Sequence, residues 1–205
     1  MAGSTFVVEP GRMQRQVLWL QALTLLWMGL EAGLSLLSAY RACSIAMLGF
    51  GGDSGVELLS ALLVVSGFLP GKKRVNETTA GRVAAVLLLA VAGLVVLGAG
   101  WALTGHLDPA PSRLGMVVLL AAALFMPWLA RRKRRLAVAT GNVALRADAM
   151  QSSLCAYLAW IALGGLLLNA RWHLAWADPL AGLVLVPLIV QEGRAAWRGQ
   201  ACACC

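Results

Sequence analysis

Residues 83–103 read VAAVLLLAVAGLVVLGAGWAL, an apolar run without a single charged side chain. Crossing a hydrocarbon core about 30 Å thick takes about 20 such residues in an α-helix. A helix that is hydrophobic on every side is one that no face turns to water. The run therefore predicts a membrane span. Working outward, the chain divides into six apolar segments: Val17–Ala39, Ile45–Leu69, Val83–Leu103, Leu114–Ala130, Val143–Leu168 and Leu174–Val190. The breaks between them carry turn residues and charge. Pro70-Gly71-Lys72-Lys73-Arg74 ends the second segment, Asp108-Pro109-Ala110-Pro111 separates the third from the fourth, and Arg131-Arg132-Lys133-Arg134-Arg135 is expected to stop the fourth. Asn169 to Trp172 breaks the fifth from the sixth.

Composition agrees with this division. Of 205 residues, 60% are hydrophobic and 13% charged, and the mean hydropathy is +0.78. Soluble domains carry about a quarter charged residues. The expected fold class is an all-α integral membrane protein of six transmembrane helices, with no C-terminal soluble domain. Residues 1–16 form an N-terminal segment, 17–192 the membrane domain and 193–205 a short tail. Met1 to Gln16 lacks the pattern of a cleaved signal peptide, so the first apolar block is expected to remain as a span.

The net charge of +8 is distributed by topology. With the N-terminus inside, the inner side collects Arg12, Arg15, Lys72, Lys73, Arg74, Arg82, Arg131, Arg132, Lys133, Arg134, Arg135, Arg146, Arg194 and Arg198. The outer side keeps Arg41, Arg113 and Arg171. Such a bias predicts both termini in the cytoplasm. It also removes the need for a nucleic-acid partner, because the basic residues cluster between apolar blocks without aromatic interleaving. Trp101, Trp172 and Trp176 fall at the expected outer boundary, with Trp19 and Trp197 at the inner one, as interfacial anchors do. His106 and His173 are expected in outer loops, as surface residues.

The acidic residues are unusual in their placement. Glu31, Asp53, Glu57 and Asp148 lie within apolar segments, and Asp178 and Glu192 flank the sixth. A carboxylate at a helix centre costs about 2.5–3.5 kcal/mol on insertion scales, so such residues face the bundle interior and mark ion or proton paths. Asp53 and Glu57 are four residues apart and share one helix face, where their mutual repulsion calls for a cation, a proton or a hydrogen-bond partner. In the fifth segment Asp148, Gln151, Ser152 and Cys155 form a second polar stripe at helical spacing. A metal would favour Cys155 as the thiolate, whereas a buried cysteine without one is a small packing residue. Glu31 is a candidate relay or helix-packing residue. The stretch around Asp53 can be laid over that around Asp148, and the two spans run in opposite directions, as in transporters built from inverted repeats. Cys202, Cys204 and Cys205 crowd the tail as reduced thiols, a candidate soft-metal site or a reactive tail.

Four stretches carry a family resemblance: GFGGDSGVE at 49–57, LRADAMQSSLCAYL at 145–158, WADPLA at 176–181 and EGR at 192–194. In order and spacing, the chain resembles a short prokaryotic-type member of the cation diffusion facilitator superfamily, in the branch that includes transmembrane protein 163. The resemblance implies a transport site made by two residues four apart in the second span, here Asp53 and Glu57, and two more in the fifth. In the fifth span the family pattern has histidine or aspartate at 151 and aspartate at 155, where this chain has Gln151 and Cys155. It also implies a homodimer, and family members commonly carry a soluble domain after the sixth span, which this chain replaces with a short cysteine-rich tail.

Together these features lead to a non-enzymatic function. The expected activity is proton-coupled export of a divalent cation, zinc first, across a bacterial inner membrane. Asp53, Glu57, Gln151 and Cys155 are expected to form the site, with Asp148 one turn away. The alternative is a membrane regulatory or structural protein that binds metal without transporting it. An intramembrane enzyme finds no catalytic motif among these residues.

Overall fold

The computed structural model describes residues 10–66, 77–141 and 143–198. They fold into six α-helices and, among the described residues, no strand: α1 (Pro10–Ala42), α2 (Ile45–Ser66), α3 (Glu77–Leu103), α4 (Arg113–Thr140), α5 (Val143–Trp172) and α6 (Ala177–Trp197). Five of them, all but α2, contain stretches long and apolar enough to cross a membrane. Leu97 and Val117 stand 72% and 66% exposed on the outside of the bundle, as lipid-facing side chains would. The chain is a multi-pass membrane protein. The Lys72, Lys73, Arg74 break and the tail cysteines Cys202, Cys204 and Cys205 lie outside the described residues.

Helices consecutive in the chain run antiparallel, and α6 packs parallel to α2. At one end of the bundle, Asp178 at the start of α6 meets the start of α2, and Asn169 near the end of α5 donates to the Pro109 carbonyl at 2.7 Å in the loop entering α4. The Ala110 amide in the same loop donates to the Ala42 carbonyl at the end of α1, at 2.9 Å. At the other end Gln21 of α1 and Lys133 of α4 both reach Asp148 near the start of α5. Trp101, Trp172 and Trp176 are exposed at the first end, Trp19 and Trp197 at the second.

The fourth helix differs from its expected extent. The basic residues 131–135 do not stop it; α4 continues to Thr140 and ends where Gly141 takes a left-handed φ of 64° and its N–H caps the Ala137 carbonyl. Arginine and lysine are good helix formers, so charge ends the apolar stretch without ending the helix. At 28 residues α4 is about 42 Å long and overshoots a hydrocarbon core of about 30 Å.

The second helix sits innermost because its residues are small where its neighbours press on it. A Cβ on Gly51 would come 2.8 Å from Ser35 Cβ of α1, and one on Gly52 would come 2.7 Å from a Val91 methyl of α3. Small residues permit such backbone approach in membranes. They bring the next residue, Asp53, to 1% exposure.

Asp178 accounts for one acidic residue in purely structural terms. Its Oδ1 accepts from the Ile45 amide at 2.7 Å and the Ala46 amide at 3.3 Å, and its Oδ2 from the Ser44 hydroxyl at 2.5 Å. It thus caps the N-terminus of α2 from another helix, satisfying amides that have no partner within their own first turn. Asp178→Ala leaves these buried donors unpaired and is expected to cost about 2 kcal/mol. Thermal unfolding in detergent measures this, and an unchanged melting temperature would show that the cap contributes nothing.

Candidate metal centre

Three carboxylates converge in the interior. Asp53 and Glu57, one turn apart on α2, meet Glu192 of α6, and one oxygen from each lies within 4.8 Å of the other two. Both oxygens of Asp53, Oε1 of Glu57 and Oε2 of Glu192 are buried and receive no hydrogen bond from any described residue. Like charges at such separation in a medium of low dielectric repel strongly. Buried oxygens without donors are costly, and they are the usual mark of a missing cation or proton. The arrangement therefore suits a positive charge held between the three side chains.

Gln151 of α5 completes one side of the cluster by donating from Nε2 to Glu192 Oε1. Its amide also carries an oxygen, so a turn of the side chain would offer a fourth ligand. Glu57, Glu192 and Gln151 line a cavity of about 320 Å³ together with Asp148, Ser152 and Cys155. Gln21 of α1 and Ala196 of α6 also line it, which places the cavity in the half of the bundle that holds the start of α1 and the end of α6.

The remaining candidates are engaged elsewhere. Lys133 is fully buried, and its Nζ pairs with Asp148 Oδ1 at 2.8 Å and donates to Ser152 Oγ at 3.0 Å. Gln21 donates to the other Asp148 oxygen at 2.8 Å. Asp148 thus already has a counter-cation from the protein itself. Cys155 is buried and directs its Sγ to Glu31 Oε1 at 3.2 Å. That oxygen also accepts from Ser54 at 2.7 Å, while Oε2 accepts from the Trp27 indole at 2.5 Å. Glu31, on α1, is therefore a hydrogen-bonded centre linking α1, α2 and α5, and its α2 donor Ser54 is the residue after Asp53.

The structure brings Asp53 and Glu57 together as their spacing suggested, but their closest acidic partner is Glu192. It sits near the C-terminal end of the sixth helix, where the sequence gives an acidic residue among small and basic ones. Nothing in a linear reading tells a carboxylate turned toward α2 from one turned to solvent. Lys133 is harder still, being the middle member of a run whose other four side chains are exposed. The four-residue stripe of α5 does face one cavity, with its members divided between Lys133, Glu192 and Glu31.

No protein-family model matches the sequence, and a comparison with curated proteins gives no match.

The Lys133–Asp148 pair makes a stability prediction. Removing one partner of a buried pair strands the other, whereas replacing both is often neutral. Lys133→Met is expected to cost about 3 kcal/mol, a low value for a buried pair because the Asp148 side chain is 29% exposed. Lys133→Met combined with Asp148→Asn should recover most of the loss. Equilibrium unfolding in mixed micelles compares the two, and equal losses would show that pairing is not the cause.

Proposed function

We propose that the chain is a divalent cation transporter of the cation diffusion facilitator type, with six spans, both termini in the cytoplasm, and exchange of metal for protons. The observation that carries this reading is the convergence of Asp53, Glu57 and Glu192, each with a buried oxygen that lacks a donor, and the cavity that Glu57 and Glu192 line. Its six-span form requires α2 to cross with the other five, and 22 residues of helix reach about 33 Å.

A divalent ion would be held by Asp53, Glu57 and Glu192, with the Gln151 amide oxygen as a fourth donor. Carboxylate and amide oxygens suit zinc, manganese and other hard or borderline ions. With Cys155 turned to Glu31, sulfur contributes little to ion choice. Three carboxylates outweigh a divalent ion by one charge, so metal and protons compete for the same oxygens. Falling pH on one side then favours release there, and deprotonation on the other restores the site. Rocking of helix groups about the central α2 would expose it alternately.

Proteoliposomes containing a zinc-sensitive dye test the activity. Zinc flux should follow an opposed pH gradient, collapse with a protonophore, and fall at least about tenfold in Asp53→Asn/Glu57→Gln and in Glu192→Gln, no less than the loss of a mere outer-shell partner of a metal ligand brings. Cys155→Ser should keep most of the flux. Saturable binding without flux would favour the alternative of a metal-binding regulatory protein.

Orientation has its own test. Cys43 is exposed in the turn between α1 and α2, whereas Cys155 is buried. In a chain with Cys202, Cys204 and Cys205 changed to serine, a membrane-impermeant maleimide added outside intact cells stripped of their wall should label Cys43. Labelling only after lysis would reverse the proposed orientation.

A further inference from the structure

The start of α1 and the end of α4 enclose a groove of about 610 Å³ that plays no part in the carboxylate site. It is lined by the basic side chains of Arg15, Arg132 and Arg135 and by the apolar ones of Trp19, Leu20 and Leu136. The pattern follows from helical spacing. Positions 132, 135 and 136 form one stripe of α4, and positions 15, 19 and 20 the facing stripe of α1. Lys133 lies between the arginines in sequence but points inward to pair with Asp148, which is not among the residues that line the groove.

Three properties identify an occupant. First, the guanidinium groups lack an anion: no carboxylate lines the groove, and among the described residues the one ion pair is Lys133–Asp148. Second, the groove lies at the membrane boundary. The candidate span of α1 begins at Arg15, the apolar stretch of α4 gives way to the basic residues 131–135, and Trp19 is 68% exposed, as an interfacial aromatic would be. Third, acyl chains descending from this level would meet outward-facing apolar side chains such as Leu18, which is exposed on α1. A soluble anion would use the arginines and gain nothing from the apolar side chains beside them.

We propose that this groove binds an anionic phospholipid, its phosphate held by Arg15, Arg132 and Arg135 and its glycerol and upper chains lying over Trp19, Leu20 and Leu136. Arginine suits the role because its fork donates two parallel hydrogen bonds to a phosphate. Arg132 is further steadied with its guanidinium carbon 5.5 Å from the centre of the Trp128 ring. The site ties α1 to α4 at the end where the carboxylate cavity lies, and its existence does not depend on what that cavity carries.

Native mass spectrometry of the full chain released from nanodiscs tests the proposal. The probes are phosphatidylglycerol, phosphatidylcholine with the same chains, and water-soluble glycerophosphoglycerol. Two double variants remove equal charge: Arg132→Gln/Arg135→Gln in the groove, and Arg194→Gln/Arg198→Gln on α6. All four side chains are exposed, so both variants should fold, and their unliganded melting temperatures check this. The wild-type chain and the α6 variant should retain one phosphatidylglycerol. The groove variant should bind it about thirtyfold more weakly, as expected for two interfacial arginines. Phosphatidylglycerol should raise the melting temperature of the first two proteins and not of the groove variant. Equal weakening in both variants would overturn the proposal in favour of diffuse attraction. Retention of phosphatidylcholine as firmly as phosphatidylglycerol would remove headgroup recognition, and competition by glycerophosphoglycerol at equal concentration would make the groove a site for soluble phosphates.

Discussion

Three carboxylates within 4.8 Å of one another, inside a bundle with an apolar exterior, cannot all carry charge without a cation among them. The rest of the interior can be read as the means of holding that arrangement. Gly51 and Gly52 let α2 press against α1 and α3, which seals Asp53 from solvent. Asp178 fixes where α2 begins. From the far end of the chain, α6 supplies Glu192, and α5 supplies the Gln151 amide that holds one of its oxygens. Five helix-borne features thus serve one electrostatic problem.

The other buried acids show how differently the same residue type can be used. Asp178 is satisfied by two backbone amides and a hydroxyl, and it acts as a cap. Asp148 has an ammonium from Lys133 and an amide from Gln21. Glu31 accepts from an indole, a hydroxyl and a thiol. Each of these is neutralised or hydrogen-bonded by the protein. Among the described carboxylates, those of Asp53, Glu57 and Glu192 keep buried oxygens without donors. That contrast, more than their number, makes them the place where the proposed transport would hold its ion and the competing protons.

Much of the fold was legible in the sequence because bilayer thickness imposes a length on apolar runs, and all six helices arise from the six runs. Boundaries were less so where charge and helix propensity disagree: residues 131–135 end hydrophobicity but are good helix formers, and α4 runs through them to Gly141. The site was legible only as far as local spacing reaches. Asp53 and Glu57 declare themselves because four residues make one helical turn. Glu192 is 139 positions from Asp53, and only the packing of α6 beside α2 unites them. Cys155 and Asp148 share a stripe with Gln151, but spacing cannot say which neighbour each side chain meets. Lys133 and Glu31 answered that question for both.

The most direct measurement is to locate a bound ion. Anomalous diffraction from crystals grown with zinc or manganese should show one ion per chain bridging Asp53, Glu57 and Glu192, with oxygen ligands at about 2.0–2.2 Å for zinc. An ion seated instead between Asp148 and Cys155, or no ion among the three carboxylates under saturating metal, would contradict the assignment.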